Sequence, residues 1–136
     1  GLVASRLTAV PGASRVFLGG VVAYANEVKA AELGVPRAVL ERHGAVSAEA
    51  AEAMAHGVRA RLGADVAVAV TGIAGPGGGT PEKPVGLVFV HACAPDGEHG
   101  VRSELPGDRE LVRGRATALA LHTVRRLLAR SRDTRA

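Results

Sequence analysis

The chain has 136 residues, enough for one domain with a buried core, and its net charge of +4 with a pI near 10.2 raises a nucleic-acid partner. Aromatic residues make up only 2%, with no Trp, so readout of bases by stacking is not expected. The single cysteine, Cys93, excludes an internal disulfide and a cysteine-clustered metal site, and no apolar run reaches the ~18 residues of a membrane span.

Residues 1–9 carry Leu2, Val3, Arg6 and Leu7 at helical spacing, and Pro11-Gly12 ends that helix. Residues 16–24 are rich in β-formers and predict a buried strand, despite Gly19-Gly20 in the middle. A short helix over 27–33 is closed by Gly34, and another over 36–42 has Pro36 in its first turn and Gly44 after it. Ser47 is a good N-cap, with Glu49 and Glu52 behind it, for a helix running to Leu62 and stopping at Gly63. Strands are predicted at 64–70, 85–92 and 99–104, the first two antiparallel because a glycine loop connects them. Asp108 caps a long helix to about residue 130, with an apolar stripe of Val112, Ala116, Leu119, Thr123, Val124 and Leu127. Residues 131–136 read as a frayed tail. Strands and helices mixed in one unit predict an α/β domain over 1–130, a layered α/β/α fold with a mixed sheet.

Residues 71–86 are the most informative stretch. Gly75, Pro76, Gly77, Gly78, Gly79, Pro81 and Pro84 cannot form a helix or a central strand. A glycine loop between two core strands lets backbone N–H groups converge on an anion. It lacks the Gly-Lys-Ser/Thr of a P-loop and the following helix of a dinucleotide fingerprint. A mononucleotide phosphate remains open.

The basic residues carry a second signal. Fifteen of the seventeen are Arg; only Lys29 and Lys83 are Lys. Arg serves as the generic cation of this chain, and five arginines (Arg125, Arg126, Arg130, Arg132, Arg135) suit the dipole of a helix C-terminus. Lysine, unlike Arg, can give up its proton when desolvated, which marks both lysines as positions where Arg would fail. Tyr24 and Lys29, five residues apart, fall where the strand over 16–24 gives way to the next helix. Such strand ends form the crevices of α/β sheets. A lysine there can take a proton from a hydroxyl nucleophile; otherwise the pair is an interface tyrosine beside a surface lysine. Arg109 and Arg113 open the last helix against its dipole, which an anion or the neighbouring Asp108 and Glu110 would offset. The histidines at 43, 56, 91, 99 and 122 share no ligand spacing and lie beside no clustered carboxylates, so no metal is expected. The serines show no nucleophile-elbow pattern.

Val22-Ala23-Tyr24-Ala25-Asn26-Glu27-Val28-Lys29, Gly44-Ala45-Val46-Ser47, the loop from Thr71 to Gly86 and Pro106-Gly107-Asp108-Arg109 occur in order and at suitable spacing. Together they resemble the CinA C-terminal domain family over nearly the whole chain. The resemblance implies an amidohydrolase that converts nicotinamide mononucleotide to nicotinic acid mononucleotide and ammonia, with no metal or organic cofactor. It implies Tyr24 and Lys29 as catalytic residues. It implies Asn26, Thr71, Gly75, Gly77, Gly78, Gly79, Lys83 and Arg109 as substrate contacts. The family's nucleophile is the serine of a Ser-Cys-Thr-Gly-Gly motif whose last glycine aligns with Gly1. The sequence is therefore expected to be incomplete at its N-terminus, with that serine upstream of Gly1. The competing readings are a catalytically silent binding or adaptor domain of the same fold and, from the pI alone, a nucleic-acid binder. A cytoplasmic, reducing location is expected, with a small mononucleotide as partner, no membrane partner and a homo-oligomer left open.

Overall fold

The computed structural model describes residues 1–133. Local chemistry sets most element ends. The first helix, α1, spans Leu2–Thr8, and a single 3-10 turn follows at Ala13–Arg15. Helix α2 (Asn26–Leu33) ends at Gly34 in the left-handed region, with φ +63°. Helix α3 (Arg37–His43) ends at Gly44, with φ +77°. Ser47 caps α4 (Ala48–Leu62): its hydroxyl accepts from the Ala50 amide at 3.1 Å. Asp108 does the same for α5 (Arg109–Asp133), accepting from the Leu111 amide at 2.9 Å. Helix α5 continues to Asp133, three residues into the expected tail; the rest of that tail lies outside the described residues.

The sheet has three strands, β1 (Ala67–Gly72), β2 (Leu87–Ala94) and β3 (Gly97–Glu104), in the order β1-β2-β3. Both pairings are antiparallel, so among the described residues the sheet is antiparallel rather than mixed. Central β2 is buried on both faces, which explains its near-continuous apolar run. On one face Cys93, Ala67 and Ala69 pack with Leu33, Val35, Leu40, Met54 and Ala55 from the α2, α3 and α4 side. On the other, Val88 and Val90 pack with Val112, Ala116 and Ala120 of α5. The result is one layered α/β domain with helices on both faces of the sheet.

The expected strand over 16–24 does not form a ladder. The segment is extended, and it does alternate. Val21 and Ala23 pack against the α4-side core, while Leu18, Val22 and Tyr24 are exposed. Alternation and β-propensity report an extended chain lying on a surface; pairing needs a neighbouring strand, and none of the described strands pairs with it.

Candidate functional site

The connection between α3 and α4 is fixed by three side chains, each donating to one of three successive carbonyls. Lys83 Nζ donates to the His43 carbonyl at 2.5 Å. The Ser47 hydroxyl donates to Gly44 at 2.8 Å, and the buried Thr71 hydroxyl donates to Ala45 at 2.7 Å. Lys83 and Thr71 lie at opposite ends of the glycine loop, so this connection ties the loop down from both sides. Gly44 is glycine for two reasons. Its φ is positive, and a methyl group there would stand 3.0 Å from Lys83 Nζ.

The glycine loop is closed at its base and open at its tip. Ile73 N–H donates to the Leu87 carbonyl at 2.9 Å, and Gly86 N–H donates to Ile73 at 2.7 Å. Thr80 and Lys83 close a turn through Thr80 N–H to the Lys83 carbonyl at 2.8 Å. Arg109 Nη1 donates to the Gly75 carbonyl at 2.9 Å, bracing the loop from the first residue of α5. This bond gives Arg109 a backbone acceptor at a helix end whose dipole repels it. Gly77, Gly78 and Gly79 are exposed, and among the described residues their amides donate no hydrogen bond within the protein. They are free to face an anion.

Lys29 sits in α2 at only 5% exposure, its Nζ donating to the Tyr24 carbonyl at 2.7 Å. Burial lowers its pKa from the ordinary lysine range, because desolvation disfavours the ammonium form. Tyr24 is 77% exposed, and the contact between the pair runs through the Tyr24 backbone carbonyl, not its hydroxyl. Asn26, the first residue of α2, is exposed beside them.

The structure thus forms two groups: Tyr24 with Lys29, and Thr71, Lys83 and Arg109 around the loop. No hydrogen bond among the described residues joins them. They share one core face, since Ala23 and Ala45 both pack on the cluster built by α2, α4 and β1. Depressions of about 420 Å³ near Pro11 and Phe17, and of about 240 Å³ beside Glu49 and His56, lie elsewhere. The carbonyls of His43, Gly44 and Ala45 escaped the sequence reading, because a backbone acceptor leaves no residue-type signal.

The fold also makes a contact that sequence spacing does not show. His56 and His91 share one carboxylate: Glu98 Oε2 is 2.7 Å from His56 Nε2 and 3.1 Å from His91 Nε2. His56 lies 42 residues from Glu98, and the β2–β3 register and the packing of α4 bring the three side chains together.

Comparison with known proteins agrees on kinship. The CinA C-terminal domain family matches residues 1–128. A CinA-like protein of Gemmatimonas aurantiaca is 55% identical over 130 residues, covering 96% of this chain and 30% of that protein. One from Mycobacterium marinum is 54% identical over 130 residues, covering 95% and 31%. The chain therefore spans about a third of the length of these curated relatives. Among solved structures, the competence/damage inducible protein CihA of Agrobacterium tumefaciens superposes with a TM-score of 0.86 at 42% identity, covering 95% of this chain and 78% of that one. The competence damage-inducible protein A of Klebsiella pneumoniae gives 0.90 at 34%, covering 95% and 80%.

Proposed function

The chain belongs to the CinA C-terminal domain family, and from that premise we propose that it carries the base and the mononucleotide-binding loop of an amidohydrolase acting on nicotinamide mononucleotide. The observation that carries the reading is Lys29, a buried lysine whose pKa burial lowers. A neutral amine keeps two N–H bonds and one lone pair. The Tyr24 carbonyl takes one N–H, which orients the lone pair toward a proton to be accepted. In the proposed reaction the serine that the family motif places ahead of Gly1 attacks the carboxamide carbon. Its proton passes to Lys29 as the Oγ–C bond forms. The C–N bond then breaks, and Lys29 returns the proton to the departing ammonia. Water hydrolyses the acyl ester to nicotinic acid mononucleotide. Tyr24 offers an exposed phenol to the bound ligand, and Asn26 lies beside it. The phosphate lies at the Gly77–Gly79 amides, with Lys83, Thr71 and Arg109 holding the loop in shape. No metal or organic cofactor takes part in this reading.

The test is ammonia release from nicotinamide mononucleotide by protein that carries the serine motif ahead of Gly1. Lys29→Arg keeps the charge but supplies no base, and is expected to lose at least ~100-fold in rate. Lys29→Met serves as a second variant, and circular dichroism checks that both fold. Release within tenfold of wild type in both would overturn the role of Lys29. Gly77→Val tests the loop. A side chain there meets nothing within 4 Å, and the backbone has ordinary φ, so the fold tolerates it. Weakened mononucleotide binding in calorimetry is expected; unchanged affinity would assign the loop to architecture. Retained mononucleotide binding without ammonia release by the unmutated protein would favour the silent binding domain.

A further inference from the structure

Outside that site, three side chains from three elements converge on one point. His56 comes from α4, His91 from β2 and Glu98 from β3. Their ligand atoms all lie within 4.8 Å of one another. Both imidazole Nε2 atoms approach the same carboxylate oxygen, at 2.7 and 3.1 Å. The two rings stand 5.8 Å apart, tilted by 48°. We propose that His56, His91 and Glu98 bind a first-row divalent transition-metal cation, with zinc as the reference ion.

The donor chemistry favours this class. Two imidazoles and a carboxylate suit zinc and its neighbours, whereas calcium and magnesium need oxygen ligands. Tetrahedral zinc with bonds of ~2.0–2.1 Å holds its ligand atoms roughly 3.4 Å apart. The two His–Glu separations of 2.7 and 3.1 Å fall somewhat short of that value and no pair exceeds 4.8 Å, so modest side-chain shifts complete the geometry. Binding displaces any protons on the two Nε2 atoms and replaces two hydrogen bonds to Glu98 with three metal–ligand bonds.

The fold prepares the cluster. His91 pairs across the sheet with Gly100, and Cys93 pairs with Glu98, which sets Glu98 diagonally beside His91 on the same face. Gly100 leaves room for the imidazole, since a methyl group there would stand 3.3 Å from His91 Nδ1. His91 is the anchored ligand, its side chain only 10% exposed. His56 and Glu98 are each 48% exposed, so a fourth position faces solvent. Glu49 and Glu52 line the depression of about 240 Å³ next to His56 and give the approach a negative charge. Arg59, one turn further along α4, is turned to the Asp65 carbonyl at 3.0 Å.

The experiment uses the chain after treatment with a chelator and dialysis, titrated with Zn²⁺ alone by calorimetry. One equivalent per chain is expected, together with a raised Tm that Mg²⁺ does not reproduce. Co²⁺ in place of zinc is expected to give the visible absorption of a tetrahedral complex. His56→Ala and Glu98→Gln alter half-exposed positions, so they are expected to fold, and each is expected to weaken binding at least tenfold. His122→Ala, at an exposed position of α5 on the other side of the sheet, is expected to bind as the unmutated chain does. Three results would each overturn the proposal. They are no saturable binding, saturation only at millimolar zinc, and affinity unchanged in both cluster variants.

Discussion

Lys29 and Lys83 are the two lysines among seventeen basic residues, and each ends on a backbone carbonyl within a segment that shapes the candidate site. A compact ammonium or amine reaches a single acceptor in a confined space. A planar guanidinium spreads five donors and needs more room. At Lys83 the space is bounded by Gly44, where even a methyl group would touch Nζ. At Lys29 the surroundings are apolar enough to depress the pKa. That depression has a sign that can be measured. Between the folded pKa and the higher unfolded one, the unfolded chain holds a proton that the folded chain has released. Stability therefore rises with pH through that window, and the contribution is flat below and above it. Lys29→Met is expected to remove this rise in denaturant titrations run across alkaline pH. Equal pH slopes in wild type and variant would show that Lys29 titrates as it does in the unfolded chain. The preference for lysine at these two positions was legible in the sequence, because residue type alone carries it. The carbonyls that the lysines serve were not.

Helix α2 holds Lys29 in place through its crossing with α4, and the crossing depends on Gly57. A methyl group at Gly57 would stand 1.7 Å from the Leu33 carbonyl oxygen and 2.7 Å from its carbon. No side-chain rotation relieves a contact with backbone, so one helix must move. Gly57→Ala gains about 1 kcal/mol of helix propensity. Overpacking at such a contact typically costs about 1–3 kcal/mol or more. The clash is far inside van der Waals contact, so destabilisation is expected, together with a loss of Lys29-dependent activity as α2 shifts. A lowered urea midpoint at unchanged m-value would confirm the first part. A midpoint at or above wild type would show that the helices separate at no cost. The caps Ser47 and Asp108 and the stop signals Gly34, Gly44 and Gly63 could be read from the sequence, because each acts within a turn of its own helix. Gly57 could not, since an interior helical glycine looks like a weak point until its partner is known. The same holds for Thr71 with Ala45, Lys83 with His43, and His56 with Glu98, which are 26, 40 and 42 residues apart. Local pattern carries no information about such meetings.

At the scale of the whole molecule, β2 is the common wall of both cores. Cys93 packs toward the α4 side, while Val88 and Val90 pack toward α5. Neither core can open without exposing this strand, which implies one cooperative unit. The extended stretch after the 3-10 turn lies outside that unit. Phe17 N–H donates to Ala13, and the next amide bonded along the chain is that of Lys29, to Ala25. Between them, among the described residues, no backbone amide makes an internal hydrogen bond. Val21 and Ala23 pack the segment on the core, and Lys29 Nζ holds its Tyr24 carbonyl. Backbone protection and side-chain burial therefore diverge along this chain, and native-state hydrogen exchange separates them. Amides 18–25 are expected to exchange fast at all denaturant concentrations. Amides of β2 are expected to exchange only through global unfolding, with protection that falls in step with the equilibrium stability. Slow exchange at 18–25 would mean that this segment is paired into a ladder in solution, as its sequence alone predicted. Fast exchange in β2 would mean that the two cores open separately.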